Sequence, residues 1–248
     1  MRTCAGSISG APELESVLEV SGLYAGYATG DVLQGVSIAV NRGEVVGVLG
    51  RNGVGKSTLM RAVIGLLRAR RGKIRFRAET VTRASASARA RMGMGYVPQG
   101  REIFPHMSVL DNLRMGQFVN AAAGRFALEE VYGYFPFLAQ RARQRGGTLS
   151  GGQQEMLAIA RALVNGPELL LLDEPSDGVQ PSIVQEIGEF IAELSRRRPI
   201  GMLLVEQNID LIQRAAHRAY VMDKGRVAAE LTREELLDSE RVAQFLAV

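Results

Sequence analysis

The chain has 248 residues, 46% of them hydrophobic and 23% charged, with a net charge of +4. That balance suits a globular protein with a full core, and the longest apolar runs, such as Leu169–Leu172, fall far short of the ~20 residues a membrane span needs. A single cysteine, Cys4, excludes an internal disulfide framework, and Met1–Ser16 has no continuous apolar stretch, so export is not expected.

In chain order, residues 1–15 are rich in Gly, Ser and Ala and read as a flexible tail. Short strands follow at Leu18–Val20 and at Val36–Val40, which alternates. Val45–Leu49 is continuously apolar, the pattern of a strand covered on both faces in a parallel sheet. A glycine-rich loop leads into an amphipathic helix from Lys56 to about Leu67, and Lys73–Phe76 resumes strand character. From about Gln99 to Ser150 helix starts dominate, with a capping-box-like start at Ser108–Asp111 and a helix at Phe126–Tyr134. Gly151–Val164 reads as a helix stopped by Asn165-Gly166-Pro167. Leu169–Leu172 is a buried strand, Ile183, Ile187, Ile191 and Leu194 recur at helical spacing, and Met202–Val205 is another strand. Tyr220–Met222 and Val227–Leu231 flank a turn at Asp223-Lys224-Gly225, and Thr232 with Glu235 caps a closing helix. Strands alternating with helices predict a wound α/β sheet carrying a small helical insert.

Three segments carry chemistry. Gly50-Arg51-Asn52-Gly53-Val54-Gly55-Lys56-Ser57 matches the phosphate-loop pattern in full, between a strand and a helix as the motif requires. Its glycines turn backbone N–H groups toward phosphate oxygens, and the helix that follows adds its positive end. Lys56 is expected to reach the β- and γ-phosphates, Ser57 to coordinate Mg²⁺, and Thr58 to extend the cradle. Leu169–Leu172 then delivers Asp173 beside the metal and Glu174 where it can polarise the attacking water. Between them lies Leu149-Ser150-Gly151-Gly152-Gln153, a polar turn opening a helix and so an anion site. A crowd of basic residues, including Arg68, Arg70, Arg71, Lys73, Arg75, Arg77, Arg83, Arg89 and Arg91, reads as a solvated face. It has no interleaved aromatic pattern of the kind that stacks bases, so nucleic acid is not expected as a partner. His106 and His217 lie outside these segments and read as surface or packing residues.

With those three segments in that order, the chain resembles the ATP-binding-cassette (ABC) family over nearly its whole length. The resemblance implies a P-loop NTPase (RecA-like) wound sheet with an antiparallel N-terminal β part and an inserted α-helical subdomain. One ABC ATPase domain over 16–248 is expected, with its core at about 16–98 and 152–248 and its helical part at about 99–151. Two subunits would stack head to tail with ATP and Mg²⁺ between them. Ser150, Gly151, Gly152 and Gln153 would then face nucleotide held by the opposite subunit, with Ser150 and Gly152 at its γ-phosphate. Gln99, in Tyr96-Val97-Pro98-Gln99, matches the glutamine that reaches metal and water. Tyr27 matches the aromatic that stacks on adenine, with Tyr24 as the competing candidate.

Two positions depart from the family pattern. Gln207 stands where a switch histidine usually follows Leu203-Leu204-Val205-Glu206, and glutamine cannot accept a proton near neutral pH. Gln180 stands where a dimer-contact aspartate is usual. These departures, with the stretches Gln99–Pro105 and Gly178–Val184, are similar to ATPase subunits of importers for urea or short amides, and next to those for branched-chain amino acids. The implied partners are membrane-spanning permease subunits and a second ATPase subunit, in a heterodimer or a homodimer, with an extracellular binding protein acting indirectly. The implied location is the cytoplasmic face of the inner membrane. A soluble ABC protein acting on DNA or ribosomes is disfavoured by the absence of a heptad run or second cassette. A regulatory module with weak turnover stays open because of Gln207.

Overall fold

A computed structural model describes residues 15–28, 30–119, 128–238, 240–242 and 244. The expected tail, apart from Glu15, and the start of the helix expected at Phe126 lie outside them.

Two sheets form the core. The first is antiparallel, in the order β2-β1-β4-β5, from β1 (Ser16–Tyr27), β2 (Gly30–Asn41), β4 (Ala69–Phe76) and β5 (Glu79–Thr80). The second has the order β10-β9-β3-β8-β7-β6, from β3 (Val45–Leu49), β6 (Met94–Val97), β7 (Leu169–Asp173), β8 (Gly201–Glu206), β9 (Arg218–Asp223) and β10 (Arg226–Leu231). Its pairings are parallel except for the β9–β10 hairpin.

The unbroken apolar strands are buried on both faces, as expected, and their side chains divide alternately between two cores. Leu170 and Leu172 of β7, with Met202 and Leu204 of β8, enter one core. This core holds helices α3 (Val109–Gln117), α6 (Gly151–Leu163), α7 (Pro181–Arg197) and α8 (Ile209–Ala215). Leu169, Leu171, Leu203 and Val205 face the other way, onto helix α1 (Lys56–Ile64) and the antiparallel sheet. A period of two within a wholly apolar run marks a strand sandwiched between layers.

Several boundaries moved. β1 and β2 are twelve residues each, longer than the short strands expected. Register shifts along β1 and the positive φ of Gly22 and Gly30 interrupt the alternation that would have revealed them. Helix α1 ends at Ile64, because Gly65 adopts a left-handed cap with φ 89°. A short helix, α2 (Ala86–Arg91), lies inside the stretch taken for a basic face. In the insert, α4 (Leu128–Tyr134) and α5 (Pro136–Gln140) follow α3. The hairpin turns through Lys224 and Gly225, both at positive φ, as tight two-residue turns require. Among the described residues the insert has no separate core: Val109, Leu113 and Leu138 join one cluster with Leu157 of α6 and Leu170 of β7. The closing helix α9 (Arg233–Leu237) carries the expected capping box, Thr232 with Glu235.

Candidate functional site

The phosphate loop lies between β3 and α1, as its sequence context demands. Gly55 caps α1 at φ 110°, and a Cβ there would come within 3.2 Å of Val32 and Leu33, so only glycine fits. A cavity of about 400 Å³ opens over the loop, lined by Val32, Asn52, Gly53, Gly55, Lys56, Ser57, Thr58, Gln99 and Glu174. Gly50 and Arg51 border it through their carbonyls, which accept from Lys56 Nζ at 2.8 and 3.1 Å.

The two carboxylates at the end of β7 are held differently. Asp173, at the last position of the strand, accepts from Ser57 Oγ at 3.1 Å and from the Tyr96 hydroxyl at 3.2 Å. Burial raises its pKa, and those two hydrogen bonds oppose the shift. The Tyr96 hydroxyl is itself pushed up, first by burial and then by the Asp173 charge, so it stays protonated and donates. Glu174 turns out of the strand with φ 51°, left-handed backbone in a non-glycine residue. Its Oε1 lies 3.0 Å from Lys56 Nζ, and its Oε2 accepts from Gln99 Nε2 at 3.1 Å. Gln99 also donates to Asp177 at 3.0 Å. Lys56, Gln99, Asp173, Glu174 and Ser57 therefore converge, with Ser57 and Asp173 supplying hard oxygen donors that suit Mg²⁺ beside phosphate.

Gln207 follows β8, and its Nε2 donates to Asn52 Oδ1 at 2.5 Å, tying it to the phosphate loop. Its backbone is fixed by Glu206, which is 1% exposed and accepts from the N–H groups of Ser176, Gln207 and Asn208 and from Ser176 Oγ. Burial raises the Glu206 pKa, and these four donors oppose it. Of the two tyrosines, Tyr24 lies under Arg71, 3.9 Å from guanidinium to ring centre. Tyr27 is 44% exposed, with its hydroxyl 3.4 Å from Arg61 Nη1. It stands outside the lining of the phosphate cavity.

Ser150 caps α6 in a reciprocal box: its Oγ accepts from Gln153 N, and Gln153 Oε1 accepts from Ser150 N. The Gln153 side chain also accepts from Arg141 at 3.3 Å, so it is committed to shaping the turn. Gly152 is buried, and a Cβ there would meet Ile183 of α7 at 2.6 Å. None of Ser150, Gly151, Gly152 and Gln153 lines this chain's own phosphate cavity. Gln180 is exposed, in the N-cap position of α7 ahead of Pro181.

The basic stretch is mostly engaged. Arg70 and Arg71 pair with Asp31, Arg75 with Glu19, and Arg77 with Glu168. Arg89 corrects the expectation of a solvated face. It is 2% exposed, donates to the carbonyls of Ala62, Val63, Thr82 and Ala84, and is pulled down to about 10 by burial. His217 is exposed and accepts from Val45 N–H at 2.9 Å, a role in strand packing. Sequence reasoning gave no role to Tyr96, Asp177 or Glu155. Glu155 was detectable, because an acid between Gly152 and Ile159 falls on the buried face of α6.

A second concavity, of about 770 Å³, runs between the core and the helical insert. Ile64, Leu66 and Met94 line one side and Phe104, Met115 and Phe118 the other. Phe118 is 78% exposed and Leu66 62%. Asn165 also lines it, and its buried Oδ1 has no hydrogen-bond partner among the described residues.

A phosphate loop at a strand–helix junction, facing an acidic pair at the end of the parallel strand next but one in the sheet, defines a P-loop ATPase. The chain belongs to the ABC transporter family, whose profile matches residues 33–177, and it is an ATP-binding, ATP-hydrolysing subunit of that family. It is 42% identical over 217 residues to the high-affinity branched-chain amino acid transport ATP-binding protein BraG of Pseudomonas aeruginosa, covering 87% of this chain and 93% of BraG. It is 32% identical over 220 residues to the probable branched-chain amino acid transport ATP-binding protein LivF of Archaeoglobus fulgidus (88% and 93% covered). The lipopolysaccharide export system ATP-binding protein LptB of Escherichia coli is 35% identical over 231 residues, with 92% and 95% covered. Among solved structures, the ADP conformation of MJ1267, an ATP-binding cassette of an ABC transporter, superposes with a TM-score of 0.79 at 28% identity, covering 92% and 97%. These relatives favour the branched-chain amino-acid type over the urea or amide type that the motif resemblance placed first. Among the described residues, no helix is long and apolar enough to cross a membrane.

Proposed function

We propose that this chain is the ATP-hydrolysing subunit of an importer for branched-chain amino acids, peripheral to the cytoplasmic face of the inner membrane. The substrate class is supported by the identity to BraG, since no residue of an ATPase subunit need touch the transported molecule. Lys56 and the loop N–H groups bind the phosphates, Glu174 orients and polarises the attacking water, and Gln99 and Gln207 position groups at the γ-phosphate. Ser57, Asp173 and Gln99 would hold Mg²⁺, which would supply positive charge to neutralise the phosphate oxygens. Tyr27 stacks on adenine, a role its exposed ring supports better than the covered Tyr24. Ser150 and the N-terminal N–H groups of α6 serve nucleotide held by a second ATPase subunit, a reading supported by their position outside this chain's own cavity. A second copy or a related chain would fill that role. The groove between core and insert receives a segment of the permease, a reading supported by its exposed Phe118 and Leu66.

The single observation that carries the catalytic reading is the convergence of Lys56, Gln99 and Glu174 over the phosphate loop, at 3.0 and 3.1 Å. Reconstituted in liposomes with its permease and binding protein, the subunit should hydrolyse ATP faster with leucine, isoleucine or valine and not with urea or acetamide. Stimulation by urea alone would restore the urea-type reading, and no turnover under any condition would leave the regulatory-module reading.

A further inference from the structure

Arg101 lies two residues past Gln99, in a tight reversal where it and Glu102 both adopt left-handed backbone, φ 73° and 43°. Two adjacent non-glycine residues keep such angles only where their surroundings hold them. The guanidinium makes three contacts on two other segments. Its Nη2 donates to the Gly178 carbonyl at 3.3 Å, in the loop beyond Glu174. Its Nε lies 3.6 Å from Glu155 Oε2 on α6. It also covers Gly151 so closely that a Cβ there would stand 3.1 Å from Nη2. The Glu155 side chain is 4% exposed, and among the described residues Arg101 is its ion-pair partner.

We propose that Arg101 is a positioning residue for ATP cleavage, fastening the head of α6, and with it Ser150, to the loop beyond Glu174 and to the segment that carries Gln99. The three parts then shift as one body. This rests on the reading of Ser150 as a γ-phosphate donor to the facing subunit. Arginine suits the task because its planar fork serves a carbonyl and a carboxylate together, whereas a lysine ammonium is a single point of charge. Glu155 supplies the buried anchor that holds the guanidinium over Gly151.

The test uses the purified full-length protein as wild type, Arg101→Met, Arg101→Lys, Glu155→Gln, the Arg101→Met/Glu155→Gln double variant, and Ser150→Ala. ATP turnover, equilibrium binding of a fluorescent ATP analogue and thermal unfolding are measured for each. Arg101→Met should lower kcat about ten-fold or more while analogue affinity changes by less than about two-fold, because misplaced groups cost rate more than binding. Arg101→Lys should recover part of the rate. Measured at pH 9, the double variant should regain the stability lost when Glu155 is left without its cation, but not the rate. Recovery of kcat together with stability would overturn the proposal, since Arg101 would then only neutralise a buried acid. So would wild-type kcat in Arg101→Met, or a loss explained by weakened binding. Should Arg101→Met fail to fold, an unchanged kcat in Arg101→Lys overturns it instead. Ser150→Ala at full rate would remove the facing-subunit reading itself; an impaired Ser150→Ala beside a normal Arg101→Met would remove this proposal alone.

Discussion

Glu174 combines a strained backbone with a full set of partners, which is the mark of a side chain aimed by its surroundings. Glu174→Gln keeps an acceptor near Lys56 and Gln99 but removes the charge proposed to polarise the attacking water. Turnover should fall by about two orders of magnitude or more, with ATP retained and measurable as unhydrolysed nucleotide on the protein; a variant that still releases phosphate at the wild-type rate would contradict that role. Glu155 shows the opposite physics, a carboxyl pushed up to about 8 by burial, with Arg101 opposing and Glu206 and Asp177 reinforcing the shift. Because its folded pKa lies above the ordinary 4.5, its contribution to stability is complete below pH 4.5 and is lost as pH rises through about 8. Between pH 6 and 9 the melting temperature of the wild type should therefore fall several degrees further than that of Glu155→Gln, for an effect on the order of a few kcal/mol. Parallel melting curves across that range would show that Glu155 does not titrate there.

At the scale of elements, the segments that carry the three motifs were the most legible in the sequence. The glycine-rich loop, the all-leucine run of β7 and the helix opening at Ser150 each combine a strong local signal with a fixed place in the fold. The antiparallel sheet was read only in fragments, because bulges and glycines break its period of two. In the basic stretch Arg89 alone misled, for a different reason: composition cannot distinguish an arginine in water from one such as Arg89, whose donors all reach main-chain carbonyls across the fold. Gln99 was visible in its motif, yet its partner Asp177 was not, since the bond between them spans 78 positions. The groove between core and insert is likewise invisible in sequence, being made by α1, β6 and α3 together. Its exposed Phe118 argues for a covering partner. Phe118→Asp should abolish co-purification with the permease while leaving ATP binding by the isolated subunit within about two-fold, as expected for a charge placed in an apolar contact. Undiminished co-purification would place the permease elsewhere.

For the whole molecule, the arrangement of Ser150 away from its own phosphate cavity has a kinetic consequence. Turnover per mole of purified subunit should rise with protein concentration and level off when association is complete; a rate independent of concentration down to dilute monomer would show that one chain suffices. Association must then bring two surfaces together, and the fold shows which part stays fixed. The guanidinium of Arg89 clamps Ala62 and Val63, at the tail of the helix whose head holds Lys56 and Ser57, onto Thr82 and Ala84. Positive charge at that end also favours the helix dipole. The phosphate-gripping side is thereby bolted to its frame like the stationary jaw of a vice.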